Sequence, residues 1–291
     1  MKFLKEIDYN NIDKGIEYLQ KNKFNYYPKN NEIIYHVYWY GNMTRKQILC
    51  INSYLATQNL EKTKLWIWLD YENGYNKRNI DYINSKIIKN KGIEIKKYIP
   101  NVESKETLFS QLKHINHNKF LKFRSDLARL IILFKYGGIY YDLDLILLKD
   151  LMPLLGIEFC YTWSFMKKGN NGILRLKKNG ELITKIMKKY IKILKNKEFY
   201  LGFNQLIFTK DIDIMCFPCV MFDPVWILHD LKQKSKYSSL NNFDNFFKKT
   251  KEDVENKFFH NQIFTYHWHS RNNYKIEKKS FFERLENRFN V

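Results

Sequence analysis

Two carboxylates one residue apart, Asp142 and Asp144, sit in an otherwise apolar run, "GGIYYDLDLILLKDL". If that run is a strand, residues i and i+2 project from one face about 6.5 to 7 Å apart. Two acids that close in a water-poor site repel, so one must be protonated or a cation must lie between them. Carboxylate oxygens suit Mg²⁺ or Mn²⁺, ions that keep open positions for phosphate oxygens. A bland reading, two acids capping a strand end, competes with the metal reading because such triplets are common. Upstream, Asp126 and Arg129 lie one helical turn apart and can reach one ligand or each other. Near the end of the chain, "YHWHS" holds two histidines, His267 and His269.

Several elements must position these groups. Leu127, Leu130, Ile131 and Phe134 form an i, i+3, i+4, i+7 stripe, which predicts a helix ended by Gly137-Gly138. "IYYDLDLILL" then reads as one buried strand. Before it, "EIIYHVYWYG" (32–41), "KLWIWLD" (64–70) and "IEIKKYI" (93–99) read as strands. "RKQILCINSYLATQ" and "KRNIDYINSKIIK" between them read as helices. Alternating strands and helices with short connections predict a parallel sheet of βαβ units, with ligands at the carboxyl ends of its strands. Further on, "ELITKIMKKYIKIL" is a helix, 231–257 is a polar excursion, and 276–291 carries a short tail helix.

The stretch "RSDLARLIILFKYGGIYYDLDLILLKDL" (124–151) resembles the nucleotide-sugar signature of DXD glycosyltransferases of the family 32 type. More distantly it is similar to the catalytic domain of the large clostridial glucosylating toxins. The matching residues are Ser125-Asp126 with Arg129, Gly137-Gly138-Ile139-Tyr140, and Asp142-Leu143-Asp144. The family's Ile-His-x-x-Trp-x-Gly strand is matched by Ile34, His36, Trp39 and Gly41, with one residue inserted before the histidine. Past residue 160 the likeness is thin. In the C-terminal motif Tyr266 replaces a histidine, and a glycine and a tryptophan are missing.

The resemblance implies an α/β, GT-A (Rossmann-like) fold with a mostly parallel central sheet flanked by helices. It implies one transferase domain over 1–291: a helical lead (1–30), a nucleotide-binding half (31–150) and a donor-sugar and acceptor half (151–275). The implied activity is metal-dependent transfer of a hexose from a UDP- or GDP-sugar to a glycan, glycolipid or protein acceptor, with retention of configuration. By the same resemblance Trp39 stacks on the base, with Tyr38 and Tyr140 at the nucleotide. Asp126 and Arg129 contact ribose, base or sugar hydroxyls. Asp142 contacts the ribose or the metal's water shell, Asp144 binds the metal, and His267, then His269, with Ser270, complete the metal and diphosphate site. Asn170 or Asn171 bonds the donor sugar.

Composition bounds the alternatives. The 291 residues are 45% hydrophobic and 17% aromatic, enough for a sizeable core. The formal charge of +20 is carried mostly by lysines spread along the chain; we read it as compositional bias and expect no nucleic-acid partner. A catalytically silent sugar-nucleotide-binding relative is the other alternative. Cys50, Cys160, Cys216 and Cys219 are expected to be buried free thiols, "CFPC" lacking a second pair at zinc spacing. No apolar run reaches the roughly 18 to 20 residues of a membrane span, and "MKFLKEIDYN" has no signal-peptide core. The expected location is cytoplasmic, soluble or peripherally membrane-associated. Phe281, Phe282, Leu285 and Phe289 share one side of the tail helix. That side either packs on the domain, the preferred reading, or docks residues 278–289 on an anionic bilayer with a lipid-linked acceptor.

Overall fold

The computed structural model describes residues 1–4, 7–29, 32–86, 92–112, 121–195, 211–232, 242–251 and 263–289. An eight-stranded mixed sheet forms the frame. Its strands are β1 (Lys2–Phe3), β2 (Ile33–Trp39), β3 (Thr63–Asp70), β4 (Ile93–Tyr98), β5 (Gly138–Tyr141), β7 (Phe159–Trp163), β8 (Met166–Leu176) and β9 (Met215–Phe217), in the order β1-β9-β7-β8-β5-β2-β3-β4. The β5-β2-β3-β4 half is parallel, as the alternation of strand and helix predicted. Only β8 runs antiparallel to its neighbours, β5 and β7. A separate two-stranded ribbon pairs β6 (Leu145–Leu147) with β10 (Thr265–His267).

Helices α1 (Ile12–Lys21), α2 (Arg45–Thr57), α3 (Lys77–Lys86), α4 (Pro100–Glu103), α5 (Leu121–Tyr136), α6 (Glu181–Lys195), α7 (Pro224–Leu231) and α8 (Phe281–Arg288) complete the described elements. Two apolar clusters contain the strands between them. One joins α1, α2, β6, α7 and α8; the other joins α5 and α6. The stripe on α5 is buried as its spacing required: Leu127, Leu130 and Ile131 are all in the core. All four cysteines are buried and free.

Two glycines set the approach to the acidic pair. Gly137 and Gly138 both have positive φ, 67° and 90°, and a Cβ on Gly138 would lie 2.1 Å from the carbonyl oxygen of Ile34. Only a residue without a side chain lets β5 come this close to β2. His36 on β2 secures the turn. Its ring is wholly buried, with Nε2 2.9 Å from the Gly137 carbonyl, while Nδ1 accepts from Trp68 Nε1 at 3.2 Å. Those partners fix the neutral tautomer with its proton on Nε2. At the other end of α5, Arg124 donates twice to Asp70 at the tip of β3, at 2.7 and 2.8 Å. A buried pair in this bidentate geometry holds helix and sheet in one register.

One expectation needs correction here. "IYYDLDLILL" is not one strand. β5 ends at Tyr141, residues 142–144 turn, with Leu145 N donating to Asp142 O at 2.9 Å, and the chain leaves the main sheet as β6. Such a turn gives the two acids separate directions, where a straight strand would align them. The tail helix follows the preferred of its two readings and packs on the domain. Phe281, Phe282 and Leu285 are fully buried, and Phe282 packs on Phe246 and Phe247. Their apolar face is therefore taken up by the protein and is not presented to a bilayer. Of the polar excursion 231–257, residues 233–241 and 252–257 lie outside the described residues; the short helical turn Phe243–Phe246 inside it has both ends buried.

Candidate functional site

The turn at 142–144 lies where α5, β8 and the ribbon strand β10 converge. Asp142 takes its place through its backbone, N donating to Gly172 O at 2.8 Å. Its carboxylate meets Arg129, which donates from Nη2 at 3.0 Å. Arg129 is itself buried. It also donates to the Asn171 side chain at 2.9 Å and to the Asn171 carbonyl at 2.6 Å, and its Nε stands 3.4 Å from Asp126 Oδ1. Asn171 Nδ2 in turn donates to Asp126 at 3.0 Å. So Asp126, Arg129, Asn171 and Asp142 form one connected network. The helical pair 126/129 is an ion pair, but a buried one built into this network and not a surface contact.

Two residues expected at the nucleotide are buried in the frame. Tyr140 is fully buried beneath Arg129, whose guanidinium carbon lies 4.8 Å above its ring; it supports the arginine. Tyr38 is buried and its hydroxyl donates to Asp70 at 2.6 Å, so its polar tip is already committed to the Arg124 pair. Trp39, by contrast, is half-buried at the carboxyl end of β2, with Nε1 donating to Asn42 O at 3.2 Å. Asn170 Oδ1 is engaged locally, accepting from Gly172 N at 2.9 Å.

Asp144 meets a different set of partners, those of the C-terminal ribbon. Its Oδ2 accepts from Ser270 N at 2.7 Å and lies 3.2 Å from Ser270 Oγ. Its Oδ1 is 3.0 Å from His267 Nε2. His269 and Ser270 both adopt left-handed backbone, φ 51° and 55°, a conformation that costs non-glycine residues free energy and is retained where geometry demands it. Here it turns the Ser270 amide back onto Asp144. The segment is held from outside by Lys46, whose Nζ donates to the carbonyls of Arg271, Asn272 and Tyr274 at 2.6, 3.1 and 2.6 Å.

Behind His267 stands a carboxylate that the sequence did not single out, Asp223. It is fully buried, with Oδ2 3.3 Å from His267 Nδ1 and 2.7 Å from His269 Nε2. In the sequence it is an unremarked acid before Pro224, the first residue of α7. The only sequence signal was an aspartate flanked by apolar residues.

Electrostatics separates the two acids of the motif. Burial pushes Asp142 up to about 6, and the charge on Asp144 adds to this, against the pull of Arg129. Burial would raise Asp144 too, but the imidazoles of His267 and His269 and the Ser270 amide hold it below the usual carboxylate range. Burial would lower His267; Asp144 and Asp223 on its two edges overcome that and raise it well above the ordinary histidine value. His269 goes down, burial outweighing Asp223.

These donors suit a divalent ion. Two cis ligands at bond lengths of about 2.1 Å on an octahedral ion are about 3 Å apart, and Asp144 Oδ1 and His267 Nε2 are 3.0 Å apart. Asp142 is the neighbouring oxygen donor. Asp223, His267 and His269 bring ligand atoms within 4.8 Å of one another, yet they make a poor site of their own. The two imidazoles are stacked, centroids 3.9 Å apart and 17° from parallel. In-plane lone pairs of stacked rings run side by side and do not converge on one ion.

Residues 39–160 match the family described as glycosyltransferase sugar-binding region containing DXD motif. No curated protein matches the sequence. Among solved structures, an active-site mutant of LgtC is similar at 12% identity and a TM-score of 0.53, over 88% of this chain and 96% of that one. The apo-form glycosyltransferase GlyE of Streptococcus pneumoniae TIGR4 is similar at 15% identity and 0.51, over 90% and 61%. The bifunctional glycosyltransferase WbbM is similar at 11% identity and 0.54, over 90% and 50%. At these identities the likeness shows the fold, which is the GT-A fold expected.

Proposed function

We propose that this chain, a glycosyltransferase of the GT-A type, transfers a hexose from a UDP- or GDP-sugar to a glycan or lipid-linked glycan acceptor, with Mn²⁺ or Mg²⁺ and with retention of configuration. The observation that carries this reading is the 3.0 Å spacing of Asp144 Oδ1 and His267 Nε2. Asp144 and His267 hold the cation, with Asp142 beside it. When bound, the ion acts as a Lewis acid on the diphosphate and offsets the charge of the departing nucleoside diphosphate. The half-buried Trp39 offers its face to the base. Arg129 orients Asp142 and, with Asn171 and Asp126, presents a fixed polar wall to ribose or donor-sugar hydroxyls.

Retention is supported by how the carboxylates are engaged. Asp126 and Asp142 are held by Arg129, Asp144 by Ser270 and His267, and Asp223 is buried against two imidazoles. None of these four is left as a free nucleophile. A front-face displacement, in which the leaving phosphate oxygen takes the acceptor proton, needs none. Nucleotide release should be screened over common UDP- and GDP-sugars with Mn²⁺, Mg²⁺ or EDTA, for wild type and Asp144→Asn. Release that needs the metal and is lost in the variant supports the reading. Undiminished release in EDTA or in Asp144→Asn would sink it.

A further inference from the structure

The motif places two histidines, His267 and His269, beside the acidic pair and leaves open which one serves the ion and what holds it in position. Asp223 bears on both questions. It stands at the N-cap position of α7, where an aspartate ordinarily bonds the first free amides of the helix. Here the carboxylate makes no cap hydrogen bond. It turns instead into the interior, fully buried, with neither oxygen satisfied by a well-aligned hydrogen bond. The cationic or donor groups it faces are the His267 Nδ1 edge and the His269 Nε2 edge. The Tyr161 hydroxyl borders the same space, 3.5 Å from His267 Nδ1. A buried carboxylate with no aligned donor is costly, so its retention here asks for a purpose.

The two edges of His267 face different carboxylates: Nε2 lies 3.0 Å from Asp144 and Nδ1 lies 3.3 Å from Asp223. An imidazole that gives one nitrogen to a metal gains orientation and basicity by donating the proton on its other nitrogen to a carboxylate. His269 cannot share that task. Its ring is stacked on His267, so an ion in the plane of one ring lies roughly a stacking distance from the other. Trp226 and Phe243 also pack against it, ring centroids 5.1 and 4.0 Å away.

We infer that Asp223 is the positioning residue of the metal site, accepting the Nδ1 proton of His267 so that Nε2 is presented to the ion beside Asp144, and that His269 braces this pair without ligating. This rests on the metal-dependent reading above and deepens it.

The test is Mn²⁺ affinity, read from the electron paramagnetic resonance signal of free Mn²⁺ with UDP or GDP present. Wild type, Asp223→Asn, Asp223→Ala, His267→Gln and His269→Gln are compared, with thermal midpoints taken separately in EDTA. The expected result is a 10- to 100-fold weaker dissociation constant for both Asp223 variants, the usual consequence of removing such an outer partner. His267→Gln should weaken binding at least as much, and His269→Gln by no more than about threefold. In EDTA the midpoint of Asp223→Asn should fall, since the carboxylate's attraction to the two imidazoles is lost; the deciding readout is therefore the affinity of the folded protein, measured below that midpoint. A wild-type affinity in Asp223→Asn overturns the inference, and so does a loss in His269→Gln matching that in His267→Gln. If wild type binds no Mn²⁺ with either nucleotide, the metal reading itself fails. If it binds and only the Asp223 variants behave as wild type, the positioning role alone fails.

Discussion

His36 gives a quantitative prediction. Its ring is wholly enclosed between β2, β3 and the Gly137 turn, and burial lowers it to about 3 from an ordinary value near 6.5. The folded protein therefore holds His36 neutral while the unfolded chain protonates it below about pH 6.5. The unfolded state then binds more protons than the native state, so stability falls as pH falls between about 6.5 and 3. Between pH 7 and pH 5 the decrement from this one group is about 2 kcal/mol, from roughly 1.4 pH units at 1.36 kcal/mol each. Other groups titrate in the same window, so the measurement is a difference. Urea unfolding of wild type and His36→Gln is recorded at pH 7 and pH 5, and the two changes are subtracted. His36→Gln should be less stable at pH 7, through loss of ring packing on Trp66 and Trp68, and should lose about 2 kcal/mol less than wild type on acidification. Equal losses would refute the reasoning, showing that His36 is protonated, or reachable by water, in the native state. The effect bears on the site because the Gly137 carbonyl bonded to His36 opens the turn that leads to Asp142.

Further predictions follow from other contacts. Arg129→Lys keeps the charge but cannot serve Asn171 and Asp142 together from one planar group; transfer should fall by 10- to 100-fold, about 1.4 to 2.7 kcal/mol by the usual conversion, measured as kcat/KM for the donor. Gly138→Ala places a methyl against the Ile34 carbonyl and should unfold at markedly lower temperature by circular dichroism, or fail to accumulate. Phe282→Ala removes a buried ring at a cost of about 3 to 5 kcal/mol. Full-length protein should not co-sediment with anionic liposomes through this helix, and co-sedimentation abolished by Phe282→Ala without loss of folding would reverse that assignment. Lys46→Met should loosen the carbonyls of 271–274 and weaken Mn²⁺ binding while Asp142 and Arg129 keep their network, a split that a donor-binding assay in EDTA can resolve.

How much of this could be read in the sequence depends on the range of the contact. The stripe on α5, the glycine pair and the alternation of the first three long strands are local patterns, and each element formed where its period placed it. The acid pair was legible as chemistry and misread as geometry. Leu143, Leu145 and Ile146 are buried whether the chain runs straight or turns, so hydrophobicity alone could not show that β5 ends at Tyr141. The antiparallel neighbour β8 pairs as far as Tyr141 with Ile173 and meets Asp142 through Gly172, after which the chain turns into the ribbon with β10. That pairing spans about thirty residues and leaves no mark near the motif. The burial of Tyr38 and Tyr140 was hidden for a related reason: an aromatic at a strand end can face a cleft or a buried arginine network, and Arg124 and Arg129 stand beside these two.

Asp223 marks the limit of such reading, and its position also explains how the site is assembled. The motif strand brings Asp142 and Asp144 to the end of the sheet, but the imidazole opposite Asp144 arrives from a ribbon strand more than a hundred residues later, paired in register Leu145 with His267. Its other edge is met by a carboxylate from a third segment, at the start of α7. Three stretches far apart in the chain thus meet on one ring, and none of them carries the arrangement alone. Formation of the ribbon and docking of α7 must therefore precede a competent cation site. The parallel half of the sheet, with Trp39 at the end of β2, is paired without either. Donor recognition and cation binding are on this account separable properties of one fold, the first built by local patterns and the second by the meeting of distant ones.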